Sequence, residues 1–139
     1  MKLLVACLLI STSLYSQTIV GKWKTIDDNS GEERSIVEIY EKGGKIYGRI
    51  IKLFRKPGED PDPVCDECEK SDPRYNKKII CMDIITGMVK SGSEYDDGDI
   101  LDPENGKVYK CKLWLENNEL KVRGYWGPFF RTQTWKKAI

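Results

Sequence analysis

The sequence predicts an all-β fold, an up-and-down antiparallel β-barrel of seven or eight strands, and three observations predict it. Most segments alternate apolar and polar residues with the period of a strand. Short clusters of Gly, Asn and Asp separate these segments at hairpin spacing. Almost no stretch carries the longer period of an amphipathic helix. Gly98 to Trp126 is the clearest case. Tyr109, Cys111, Leu113 and Leu115 share one parity, with Lys110, Lys112 and Trp114 on the other. Asn105-Gly106 and Asn117-Asn118 bound this strand with residues that accept positive φ. Local turns joining so many short strands favour a meander that closes on itself, and closure removes both sheet edges.

Taken in order, residues 1–16 read as a secretory leader: Lys2, an apolar run from Leu3 to Ile10, then small polar residues, with cleavage before Gln17. Leu4-Val5-Ala6-Cys7 also spells a lipobox, but six residues are too few for an ordinary apolar region before a lipidated cysteine. The remaining residues, 17–139, are expected to form a single barrel domain. Ile19 to Thr25 alternates, with Trp23 on the inward side. Asp27 to Gly31 is a turn, and Ser35 to Tyr40 alternates again. Gly43-Gly44 turns the chain into Lys45–Phe54, where Gly48 implies a bulge or sharp bend. From Arg55 to Lys78, four prolines and many acids argue against a central strand and mark a long connection of the functional or stapled kind. Ile79 to Val89 is read as a strand, Ser91 to Gly98 as an acidic loop, and Phe129 to Lys136 as the last strand.

Composition narrows the function. The chain of 139 residues has 23 basic and 22 acidic side chains, and Lys2 is the one charge in the leader. The remainder is formally neutral, which gives no electrostatic footprint for nucleic acid or an anionic membrane. No segment is long and apolar enough to span a bilayer as a helix. There is no histidine, which removes the usual proton shuttle and the Ser-His and Cys-His nucleophile pairs. Enzyme chemistry would rest on carboxylates alone, and no enzyme, metal or cofactor is expected.

Gly21-x-Trp23 at the start of the first strand, with an arginine near the last, resembles the calycin group of lipocalins and their relatives. In that group the tryptophan packs at the closed end of the barrel against a basic side chain, for which Arg123 and Arg131 are the candidates here. A closer resemblance runs through Gly21-Lys22-Trp23, Ile46-Tyr47-Gly48, Asp102 to Tyr109, Leu120 to Tyr125 and Arg131 to Trp135. Together these blocks resemble an exported bacterial family known as domain of unknown function twenty-one forty-seven. That resemblance implies a lipocalin-like barrel and export, with no established activity and no catalytic residues.

Beyond the leader stand Cys65, Cys68, Cys81 and Cys111. An even number in an exported chain reads first as two disulfides. The favoured pairing is Cys65–Cys68 within the long loop and Cys81–Cys111 between strands, the latter worth about 3–4 kcal/mol in the chain-entropy model. The alternative crosses the loop cysteines to the strand pair. Zinc would need a second CxxC. A redox motif is opposed by Asp66 and Glu67, which disfavour a thiolate.

Six carboxylates, Glu94, Asp96, Asp97, Asp99, Asp102 and Glu104, are expected around one hairpin mouth, without the spacing of a calcium loop. Trp23 and Trp135 are expected as core plugs. Tyr47, Tyr125, Trp126 and Phe130 gather near strand ends, while Arg131 and Gln133 stand at inward parity in an otherwise apolar wall. A small barrel can hold one small ligand in its mouth. The expected function is therefore to bind a small hydrophobic or amphipathic molecule, with Trp23, Tyr47, Tyr125, Trp126, Phe130, Arg131 and Gln133 as its contacts, in the periplasm or outside the cell. The second reading is a filled barrel that meets a protein partner through the acidic loop 55–78.

Overall fold

Eight strands follow one another round a closed barrel in chain order: β1 (Gly21–Ile26), β2 (Glu33–Lys42), β3 (Lys45–Leu53), β4 (Asp83–Ser91), β5 (Glu94–Asp102), β6 (Lys107–Glu116), β7 (Glu119–Trp126) and β8 (Phe129–Lys137). These come from a computed structural model in which residues 18–139 are described. The expected leader, residues 1–16, and Cys7 within it lie outside the described residues. Every neighbouring pair is antiparallel, and β1 closes on β8 through Trp23 opposite Lys137 and Lys24 opposite Lys136.

The alternation seen in the sequence is the alternation of the wall. On β2, Val37 and Ile39 point inward; on β3, Ile46 and Ile50; on β6, Cys111 and Leu113; on β7, Leu120 and Val122; all are buried. One pole is filled. Ile19, Trp23, Ile39, Met88, Leu113 and Leu120 pack there with almost no exposure, and the Trp23 indole N–H donates to the Ile19 carbonyl at 2.8 Å. The sheet can close this tightly because Gly48 faces inward at an irregular register with β4. A Cβ there would meet Ile39 Cδ1 at 3.0 Å and Ile85 Cβ at 3.1 Å.

The acidic stretch from Ser91 to Gly98 is not a loop. Gly92 and Ser93 make a tight turn, and Glu94 begins β5. Barrel closure overrides the poor strand propensity of these acids, because β5 must bridge β4 and β6. The six carboxylates consequently do not gather at one mouth. Glu94 pairs with Lys112 and Asp99 with Lys110 along the wall, while Asp102 and Glu104 alone belong to the opposite pole.

The cysteines divide differently from the expected scheme. Cys65 and Cys68 are joined as expected, but Cys81 and Cys111 are both free thiols. Cys111 points into the barrel from β6, between Gly98 of β5 and Gly124 of β7. Cys81 is exposed in the turn leading into β4, and β5 lies between β4 and β6. The two thiols face opposite sides of the wall, Cys111 the interior and Cys81 solvent, so no tie joins them.

The long β3–β4 connection is pinned at several points. Val64 bridges Lys78, the Cys65 amide donates to the Lys77 carbonyl at 2.8 Å, and the Arg74 guanidinium donates to the Asp83 carbonyl at 3.0 Å. Its disulfide presses on the β5–β6 turn so closely that a Cβ on Gly106 would overlap the Glu67 carbonyl group.

Candidate functional site: a cavity in the barrel mouth

Odd-numbered strands run toward one pole and even-numbered strands away from it. The β1–β2, β3–β4, β5–β6 and β7–β8 connections therefore all collect at the pole opposite the filled core. Between them opens a cavity of about 640 Å³, within the range of small-molecule sites. Its wall is apolar: Ile50, Leu53, Ile84, Ile100, Leu101 and Val122, with Trp135 behind them. Small polar groups stand deeper on one side, where the Thr25 and Ser35 hydroxyls share a hydrogen bond of 2.7 Å.

A chain of polar side chains rises from this wall to the rim. The Trp135 indole N–H donates to Gln133 Oε1 at 3.1 Å, and Gln133 Nε2 donates to Asp28 Oδ2 at 3.3 Å. The Arg131 guanidinium pairs with the same Asp28 oxygen at 2.5 Å. Asp28 thus ties the first hairpin to the last strand. A second tie crosses the opening: Arg34 at the start of β2 pairs with Asp27 at 3.2 Å and with Glu104 in the β5–β6 turn on the far side of the ring. The N–H groups of Ser30 and Asn29 hold the Asp27 carboxyl below its ordinary pKa.

Asp102 also lines the cavity and has a different environment. Burial raises its pKa above the ordinary value, against the pull of a backbone N–H and of Arg34 and Arg131. Oδ1 accepts the Glu104 amide at 2.9 Å. The rim can thus offer a hydrogen-bonding carboxyl, an arginine and an amide to the polar end of a guest, while the wall takes the apolar part.

Of the seven residues expected to contact a ligand, Trp126, Phe130, Arg131 and Gln133 line this cavity. Trp23 lies at the filled pole, too deep to reach it. Tyr47 and Tyr125 have outward parity: Tyr47 stacks on Tyr40 at 5.8 Å, and Tyr125 lies against Phe130 at 6.1 Å. Neither candidate arginine meets Trp23, since Arg123 stacks on Trp114 and Phe130 outside the wall and Arg131 pairs with Asp28. Sequence reasoning missed Asp28, Arg34 and Tyr109 at the mouth. For Asp28 the available signal was a turn cluster, which gives no hint of a partner 105 residues away.

A closed antiparallel barrel with one filled and one hollow pole, entered past its loops, is a lipocalin-like fold. One solved structure similar to it is protein HP1028 from the human pathogen Helicobacter pylori, described as belonging to the lipocalin family. The TM-score is 0.73 at 21% sequence identity, over 89% of this chain and 85% of that one, a likeness of fold. A bacterial family profile, uncharacterized protein conserved in bacteria (DUF2147), matches residues 21–137, and the chain belongs to that family. No match was found among curated proteins.

Proposed function

We propose that the protein is an exported carrier that holds one small hydrophobic or amphipathic molecule in the mouth of its barrel. The observation that carries this reading is the cavity of about 640 Å³ with an apolar wall and a polar rim. A barrel meant only as a scaffold gains by filling its interior, because empty apolar space forfeits dispersion contacts. Here the filling stops at mid-barrel. The Cys65–Cys68 disulfide supports export, since such bonds persist in oxidising compartments. The guest would place its apolar body against Leu101, Val122 and Trp135 and its polar end beside Asp102, Gln133 and Arg131.

Native mass spectrometry of the protein purified gently from its own host tests this. The expected result is a retained adduct of small-molecule mass that is lost on denaturation and absent from Val122→Trp, which would fill the cavity from β7. Protein that emerges bare from every preparation, and whose Trp135 fluorescence ignores a panel of amphiphiles, would refute carriage.

A further inference from the structure

We propose that the guest of the barrel mouth is a cationic amphiphile, an apolar body ending in an ammonium group, and that the rim discriminates against carboxylates and other anions. Such a preference rests on the carriage reading and adds the sign of the guest's polar end.

Charge at the opening is unbalanced, although the chain as a whole is nearly neutral. Among the described residues, six carboxylates line the cavity against three guanidinium groups, and no lysine does. Each guanidinium is already committed. Arg34 pairs with Asp27 and Glu104, and Arg131 with Asp28. Arg55 pairs with Glu59 at 3.6 Å, and its Nε donates to the Asp60 carbonyl at 2.8 Å. Asp66, Glu67 and Asp102 remain, and among the described residues no basic side chain pairs with any of them. An anionic head entering here would find no free cation and three acids without countercharge. An ammonium would complete the balance.

Asp102 is half-buried, whereas Asp66 and Glu67 are exposed. Its carboxyl accepts the Glu104 amide at 2.9 Å, and the pull of Arg34 and Arg131 does not offset its burial. Lys107 is its register partner on β6, yet the Lys107 ammonium lies over the Trp126 ring at 5.7 Å instead. Ionising a carboxyl withdrawn from water without a paired cation is unfavourable. A guest's ammonium beside Asp102 would relieve that cost.

The aromatic tip of the last hairpin stands where such a head would pass. Trp126 opposes Phe129 across β7 and β8 with the parity of Val122 and Gln133, so this pair extends the inner wall beyond the rim. Both rings line the cavity and both are 67% exposed. Ring faces attract ammonium groups through their negative quadrupole, tryptophan best of all. The chain's own cations use these rings, with Arg123 over Phe130 at 4.4 Å beside Lys107 over Trp126.

Titration with decylamine, decanol and decanoate, followed by tryptophan fluorescence at neutral pH and low ionic strength, tests the inference, because the three share a chain and differ in head charge. Decylamine is expected to bind at least about tenfold more tightly than decanoate, with decanol between them. Asp102→Asn with Glu67→Gln should lower the ratio of decylamine to decanoate affinity at least about fivefold. Glu41→Gln, an exposed acid at the filled pole, should leave the ratio unchanged. Should the Asp102 variant fail to fold, Asp66→Asn with Glu67→Gln, both exposed, should still lower the ratio. Decanoate that binds as tightly as decylamine, or a ratio indifferent to these acids, would overturn the charge assignment and leave carriage standing. Binding of none of the three would overturn carriage and the ammonium preference together.

Discussion

Replacing Gly106 by alanine tests how the long loop is held over the mouth. Gly106 has φ of 72° and closes the β5–β6 turn by donating to the Asp102 carbonyl at 2.8 Å. An alanine there incurs about 1–2 kcal/mol for a left-handed backbone. Its Cβ would also overlap the Glu67 carbonyl group and approach the Cys68 amide at 2.7 Å. These are backbone atoms of a segment braced by a disulfide, so they yield poorly, and crowding adds a further ~1–3 kcal/mol. The expected loss is about 2–5 kcal/mol, or a fall of roughly 1–2 M in the urea midpoint for a domain of this size. Gly92→Ala is the matched control, because Gly92 has φ of 64° in a turn with open space around it. It should lose the conformational part alone. Equilibrium urea denaturation of both variants separates the two contributions, and faster tryptic cleavage at Lys70 and Lys77 should accompany only Gly106→Ala. If Gly106→Ala is no less stable than Gly92→Ala, the loop does not bear on the turn and the argument fails.

Two further predictions concern titration. Burial pushes the Cys111 thiol up to about 12, so iodoacetamide at mildly alkaline pH should label Cys81 in the native protein and Cys111 only after unfolding; mass mapping that finds native Cys111 modified would contradict the inward placement. Asp102 has a folded pKa above its ordinary one, so its ionisation destabilises the fold, and stability from this group rises as pH falls through the folded value. Asp102→Asn, which keeps the acceptor for the Glu104 amide, should raise the urea midpoint at neutral pH, with the advantage vanishing below the ordinary carboxylate pKa. An advantage that grows on acidification would reverse the assignment.

The barrel was legible because its hairpins are local chemistry. Asn105-Gly106, Gly43-Gly44 and Asn117-Asn118 each announce a turn in adjacent letters, and the parity of Val37, Ile39, Cys111 and Leu113 already names part of the core. The β4–β5 hairpin was not, since Gly92-Ser93 hides among acids that are poor strand formers, and only neighbours on both sides make Glu94 to Asp97 a strand. Parity also identified Arg131 and Gln133 as inward residues. Tyr47 and Tyr125 were misplaced where nearness to a strand end outweighed parity, for each alternates with an inward neighbour. Trp23 has the right parity and the wrong depth. The rest of the mouth, above all Asp28 and the Arg34–Glu104 tie, comes from pairings between distant segments that no short window of sequence contains.

β1 begins and β8 ends at the filled pole, where the Ala138 amide donates to the Lys22 carbonyl at 2.9 Å. Seen as an engineering problem, this makes the molecule a cup with its handle on the base. A label or surface linker attached at this pole, beyond the end of β8, would leave the rim facing outward. The protein can be immobilised for guest screening in an orientation fixed by its own chain path, with no redesign of the mouth.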